Sequence, residues 1–156
     1  MALIDKKYSL FQLEDENLRE IGDWRQFNLY IRGKKIEENC RRVKITCGLI
    51  DQITPAKTNK RGQVKFSIMS PGVHVHSHCG PTNCRLRAHL GLKIPEGPLI
   101  RVQNDTRKWI EGKFIIFDDS FEHEVWNNGN ELRLVLIVDL WHPDLKESIK
   151  RQLTPI

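Results

Sequence analysis

The sequence predicts a mainly β domain, an antiparallel sandwich or barrel flanked by short N- and C-terminal helices. Two observations carry this. From Gln63 onward, apolar and polar residues alternate over several short runs, which is the period of a half-buried strand. Gly, Pro and Asn cut those runs at short intervals, as in Pro71-Gly72, Cys79-Gly80-Pro81 and Pro95-Glu96-Gly97-Pro98. That punctuation belongs to an all-β domain.

Residues 13–30 read as loop and helix, with Asp15 to Arg19 a first turn, and residues 37–42 as a short helix. Residues 54–61, with Pro55 and Asn59, read as a polar loop. Val64, Phe66 and Ile68 then alternate with Lys65, Ser67 and Met69, so 63–69 is a strand. Further strands are expected over 73–78, 86–92, 99–102, 113–117 and 132–140, and a terminal helix over 148–153. The strand core spans about 63–140, and residues 1–156 form a single domain of ordinary size. A double-stranded jelly roll of the cupin kind accommodates this strand count.

Hydrophobic residues make up 39% and charged residues 29% of the 156, enough apolar content for an ordered domain with its own core. The formal charge of +5 is scattered among acids. It argues against a nucleic-acid-binding stripe and for no more than a modest preference for anionic ligands. No apolar run is long enough to span a bilayer, and the N-terminus lacks a signal-peptide core. Read literally, the chain is soluble and cytosolic. None of the four cysteines forms Cys-x-x-Cys, which argues against structural zinc. Cys40 and Cys47 either close a short disulfide loop or remain thiols, and their spacing leaves both open.

His74, His76 and His78 alternate, so a regular strand points all three to one face. Imidazole is the commonest protein ligand for iron, zinc and copper. His123 lies on the turn after a later strand. A jelly roll brings two such distant histidines together in its mouth; the competing reading is ordinary hydrogen-bonded histidines. Arg85 and Arg87 alternate with Leu86 and Ala88 and share a face, with His89 expected on the other. Arg133, between Leu132 and Leu134, needs a carboxylate partner. That partner is either a protein side chain or a ligand.

With these residues in place, the sequence resembles the aspartyl/asparaginyl β-hydroxylases. His78-Cys-Gly-Pro-Thr-Asn-Cys-Arg-Leu-Arg87-Ala-His89-Leu-Gly-Leu is similar to their core motif, and Phe117-Asp-Asp-Ser-Phe-Glu-His123-Glu-Val-Trp to their second. Val138-Asp-Leu-Trp-His-Pro resembles their closing strand. Leu13-Glu-Asp-Glu-Asn-Leu-Arg-Glu-Ile-Gly-Asp-Trp24 and Glu37-Glu-Asn-Cys40 resemble the approach to that domain in the animal enzymes.

The resemblance implies a double-stranded β-helix that binds Fe(II), consumes 2-oxoglutarate and O₂, and hydroxylates the β-carbon of Asp or Asn in epidermal-growth-factor-like domains. By motif, His78 and His123 are the metal ligands. Arg133, helped by Ser67, clamps the distal carboxylate of 2-oxoglutarate. Arg87 and His89 stand at co-substrate positions, and Trp24 borders the pocket. Asp15, Glu16, Arg19 and Arg85 match positions that hold the substrate polypeptide. Gly80 stands where the usual His-x-Asp/Glu carboxylate would be, so water is expected to take the vacant metal position. Asp119 is expected either to hydrogen-bond that water or merely to shape its turn. An aspartate in place of Gly80 is expected to add a third ligand.

By the same resemblance, Cys40 and Cys47 fall where lumenal members form a disulfide, and the compartment is the endoplasmic reticulum lumen. His74, His76 and His142 are expected to be surface or structural. Two other functions are carried beside this one: a non-catalytic truncated form that binds the same domains, and an oxygenase or cupin for a small molecule.

Overall fold

The computed structural model describes residues 10–14 and 22–156. Asp15, Glu16, Arg19 and the turn expected over them lie outside the described residues. In chain order the elements are β1 (Gln12–Leu13), β2 (Trp24–Ile31), β3 (Lys34–Lys35), α1 (Glu37–Arg42), α2 (Lys44–Ile50) and α3 (Thr54–Lys57). They continue with β4 (Gln63–Met69), β5 (His74–His78), β6 (Arg85–Lys93), β7 (Pro98–Val102) and β8 (Asp105–Arg107). The last are β9 (Phe114–Phe117), β10 (His123–Asn127), β11 (Arg133–Trp141) and α4 (Glu147–Gln152).

Two antiparallel sheets face each other. The larger runs β1-β2-β4-β11-β6-β9, with β3 attached to β2. The smaller runs β5-β10-β7-β8. This is the jelly roll the sequence predicts. Val135 and Ile137 of β11 join Val75, Ile100 and Val125 in a core between the sheets. Leu136 and Val138 join Leu29, Cys40, Cys47, Ile50 and Ala56 in a second core under the helices. Covered on both faces, β11 reads as a nearly continuous apolar run, because side chains alternate across a strand.

The same alternation gives β4 two different faces. Its apolar face, Val64 and Phe66, packs on the helical layer. Its polar face, Lys65 and Ser67, looks into the space between the sheets. That polar lining is the first sign of a ligand site inside the barrel.

Three expectations change. Where loop and helix are expected over 13–30, β1 and β2 form, so strands of the large sheet begin well before Gln63. A register shift between Asn28 and Tyr30 breaks the period of two in β2 and leaves Phe27, Leu29 and Tyr30 all buried. A bulge of this kind hides a strand from a periodicity search. The polar loop expected over 54–61 opens with the helical turn α3, where Pro55 sits at a position whose N–H needs no helical partner. His123 begins β10 rather than sitting on a turn. The helix expected over 37–42 is α1, with Glu37 and Glu38 in its first turn and Arg41 and Arg42 in its last, each favourable to the helix dipole.

Candidate active site

His78 ends β5 and His123 opens β10, and the two are directly paired across the small sheet. Their ring centroids are 4.2 Å apart. A bulge makes this possible. Between the pairs His123↔His78 and Val125↔Val75 the register shifts by one residue on β5. His78 therefore turns to the inner face beside Val75, and the expectation that His74, His76 and His78 share a face fails. His74 stays outside, stacked on Trp126 at 5.4 Å and 2.6 Å from Glu124.

The His78 Nδ1 lies 2.7 Å from the His76 carbonyl oxygen, and the His123 Nδ1 lies 2.9 Å from the Phe121 carbonyl oxygen. A carbonyl only accepts, so each Nδ1 carries a proton and donates, which leaves each Nε2 as the atom a metal would take. Burial pushes the His123 imidazole down to about 4, against the smaller opposing pull of the Phe121 carbonyl. It is neutral at pH 7, the form a metal requires. Two imidazoles that present their Nε2 atoms suit a borderline divalent ion. No third His, Cys, Asp or Glu joins them among the described residues.

The reason lies at Gly80. An ideal Cβ there would fall 2.5 Å from Asp119 Oδ2, so Asp119 fills the space of the missing side chain. The Gly80 N–H donates to the Asp119 carbonyl at 2.6 Å. Asp119 is fully buried. Arg85 Nε and Nη2 donate to its two oxygens at 3.1 and 2.6 Å, and Arg87 Nη1 approaches at 3.3 Å. Burial alone would raise this carboxyl; Arg85 and Arg87 outweigh it and hold the group below the usual carboxylate range. Arg87 in turn donates to both oxygens of the fully buried Asp139, at 2.8 and 3.0 Å. Two guanidiniums and two carboxylates thus form a neutral square beside the histidine pair.

Arg133 opens β11 on the inner face and is 2% exposed. Its Nη2 donates to Ser67 Oγ at 3.2 Å, and the same oxygen accepts the Trp24 indole N–H at 3.0 Å. Arg133 makes no ion pair among the described residues, and its Nε lacks a hydrogen-bond partner there. Burial pushes it down to about 9, so it remains a cation at pH 7. His89 lies on the Arg87 face of β6, not the opposite one as expected, since residues two apart share a face. Both its ring nitrogens are buried without a hydrogen-bond partner among the described residues. Burial first, then the positive charges of Arg133 and Arg87, hold it well below its ordinary value and neutral. Unsatisfied buried groups are costly. An uncompensated cation with free donors beside a neutral imidazole fits an anionic ligand.

Trp24, Ser67, Arg87, His89 and Arg133 line one cavity with His78 and His123. Arg85, 6% exposed, stands behind the wall on Asp119. Two contributors went unrecognised in the sequence. Lys65 lines the same cavity, buried against Glu14 at 2.7 Å and the Gln26 side-chain oxygen at 3.0 Å. Its signal was a lysine sharing a strand face with Ser67. Asp139 carried one too, an acid inside an apolar closing strand. The cysteine question is settled by a Cys40–Cys47 disulfide linking α1 to α2.

Comparison with known proteins follows the same lines. The family profile of the aspartyl/asparaginyl β-hydroxylases matches residues 1–143. The chain is 54% identical over its whole length to the aspartyl/asparaginyl β-hydroxylase of Mus musculus and 53% identical to that of Homo sapiens. It spans 21% of the length of each. It is 37% identical, over 85% of its length, to aspartate β-hydroxylase domain-containing protein 2 of Mus musculus, covering 40% of that protein. Among solved structures, a predicted oxalate decarboxylase of Thermotoga maritima superposes with a TM-score of 0.54 at 14% identity, over 85% of this chain and 90% of that one. A cupin-like protein of Thermotoga maritima gives 0.51 at 13%, over 92% of both chains. These two speak to the fold alone. With paired inward histidines, a buried arginine between two antiparallel sheets and the family profile over most of its length, the chain belongs to the aspartyl/asparaginyl β-hydroxylase family.

Proposed function

We propose that this domain is an Fe(II)- and 2-oxoglutarate-dependent dioxygenase that hydroxylates the β-carbon of Asp or Asn in epidermal-growth-factor-like domains. The observation that carries the reading is the pairing of His78 with His123 beside an Arg133 that has no protein counterion among the described residues. His78 and His123 would hold the metal through Nε2. Arg133, with Ser67, would receive the distal carboxylate of 2-oxoglutarate as a charge-assisted pair. Arg87 and His89 would meet its other end, and Trp24 closes the side of the cavity.

Iron and 2-oxoglutarate together supply the oxidation: one atom of O₂ goes to the substrate carbon as hydroxyl, the other into succinate, with release of CO₂. The chain's own part is binding and orientation. His78 and His123 present lone pairs fixed by their backbone hydrogen bonds. Asp119, held by Arg85 and Arg87, fills the space that a side chain on residue 80 would take, so water rather than a third protein ligand would complete the metal's coordination. Two imidazole ligands and no carboxylate would leave the metal's charge uncompensated, which would favour an anionic co-substrate. Asp15, Glu16 and Arg19 stand at positions that hold the substrate polypeptide in the family motif; Arg85 stands at another such position, but its burial on Asp119 gives it a supporting role behind the site instead. The Cys40–Cys47 disulfide supports residence in an oxidising lumen such as the endoplasmic reticulum. Among the described residues, no helix is long and apolar enough to cross a membrane.

Incubation with Fe(II), 2-oxoglutarate and an epidermal-growth-factor-like peptide should yield succinate and a peptide heavier by one oxygen. Peptide binding that survives His123→Ala, with no turnover in the parent, would instead identify a non-catalytic binding module.

A further inference from the structure

Beside Arg133, where a buried cation ordinarily has a carboxylate, stands an aromatic face. The Arg133 Cζ lies 4.9 Å from the centre of the Trp109 indole. The same indole is stacked on His89, with centroids 5.9 Å apart and planes at 13°. Trp109 is 3% exposed and is not among the residues that line the cavity. It reaches the core from the connection between β8 and β9. That connection is laced to β6 at Gly91. The Gly112 N–H donates to the Gly91 carbonyl at 2.9 Å, and the Gly91 N–H to the Lys113 carbonyl at 3.1 Å. A Cβ on Gly91 would fall 2.5 Å from the Ile110 carbonyl oxygen. Only a residue without a side chain lets the turn lie this close, two positions from His89.

We propose that Trp109 is a positioning residue for the anion recess: its indole face supports the Arg133 guanidinium, stacks on the His89 ring and leaves the polar atoms of both to the ligand. An aromatic face attracts the guanidinium charge without supplying a hydrogen-bond acceptor as strong as a carboxylate, so the N–H donors stay available. A carboxylate in the same place would occupy those donors, and an incoming ligand would have to displace it. The Arg133 Nε and the two His89 nitrogens, all without a hydrogen-bond partner among the described residues, are the atoms that this aromatic packing leaves open. The neutral state of His89 keeps it from repelling its cationic neighbour across the shared indole. The identity of the ligand rests on the function proposed above; the positioning role does not.

Trp109→Phe keeps an aromatic face and removes the indole N–H. Trp109→Met keeps apolar bulk and removes the face. Two readouts are needed, both on the metal-free chain, with thermal midpoints recorded for each variant. The first is the Arg133 Nε–H resonance in ¹⁵N-edited spectra, assigned by its loss in Arg133→Lys. It should remain ring-current-shifted in Trp109→Phe and move to the position of an unstacked arginine in Trp109→Met. The second is calorimetric binding of glutarate and of 2-oxoglutarate. Affinity should fall about tenfold in Trp109→Met and stay within about threefold of the parent in Trp109→Phe. Should Trp109→Met not fold, Gly91→Ala, which displaces Ile110 and the turn, should give the same loss. An Arg133 resonance and affinities unchanged by Trp109→Met would overturn the proposal. So would a Trp109→Phe as impaired as Trp109→Met, since the N–H would then be the working part. If the parent binds neither dicarboxylate, the 2-oxoglutarate reading fails, and the Arg133 resonance alone decides the role of Trp109.

Discussion

The Asp119 carboxylate stands where a side chain on Gly80 would project: an added Cβ would lie 2.5 Å from its Oδ2 and 2.8 Å from its Cγ. The carboxylate that a His-x-Asp/Glu pattern would carry at position 80 is thus present in space, on another segment, and turned onto Arg85 and Arg87. This corrects the expectation that an aspartate at position 80 simply adds a ligand. Gly80→Asp should destabilise the fold by about 1–3 kcal/mol through overpacking, with like-charge repulsion added, and should not tighten metal. Gly80→Asp combined with Asp119→Gly should relieve the overpacking and bind metal more tightly than the parent, while losing the stability that the Asp119 pairing with Arg85 supplies. Denaturant unfolding and metal titration of the three proteins decide it; tighter metal in the single variant at parental stability would refute the steric account.

Arg133→Met should separate ligand binding from folding. Methionine fills similar space without charge. Removing a buried cation that has no counterion among the described residues should leave stability unchanged or raise it, by up to about 3 kcal/mol. Binding of 2-oxoglutarate should be lost. A variant that still binds 2-oxoglutarate would move the clamp away from Arg133.

Asp139→Asn should weaken the hold on Arg87 without touching the histidine pair. It removes a charge-assisted bidentate contact, a loss of roughly 1.5–3 kcal/mol. The expected kinetic result is a raised KM for 2-oxoglutarate with metal affinity near that of the parent. An equal loss in both would show that the ion-pair square supports the whole site.

Acid should destabilise the metal-free protein in a window set by its histidines. His123 falls from an ordinary 6.5 to about 4 on folding, and His89 shifts the same way. Between those values the unfolded chain takes up protons that the folded chain refuses, so stability falls as pH falls. For His123 alone the loss is roughly 3 kcal/mol between pH 6.5 and 4. The carboxylates held low by ion pairs, Asp119 among them, act mainly below that window. Unfolding midpoints at pH 7 and 4.5 should differ clearly, and His123→Gln should shrink the difference. A slope unchanged by that substitution would count against a buried neutral His123.

Replacing Cys40 and Cys47 together by alanine should cost about 2 kcal/mol, the chain-entropy value for so short a loop. The bridge lies in the core under the helices, on the far side of the large sheet from the cavity. Binding of 2-oxoglutarate should therefore be unchanged at temperatures where the variant is folded.

The strands β4 and β6 were legible because each alternates regularly, β11 because it is a short apolar run that follows a turn, and the site histidines and Arg133 because they sit in long motifs that resemble the family's. β2 was not, since its bulge puts Phe27, Leu29 and Tyr30 all in the interior. The inward turn of His78 was equally hidden: one extra residue on β5 reverses its face, and no local pattern records a bulge. Lys65 received no role although Ser67 on the same face did, because polarity alone does not tell a water-facing residue from one that lines a cavity.

The sequence by itself determined the jelly roll, the two ligand candidates and the buried arginine, since periodicity and residue chemistry are local properties. Only the tertiary structure decided which groups meet: His78 with His123, Asp119 in the space of Gly80, Trp109 against Arg133. Those contacts join residues far apart in the chain, and their geometry follows from register, bulges and burial, which exist only once the sheets have closed.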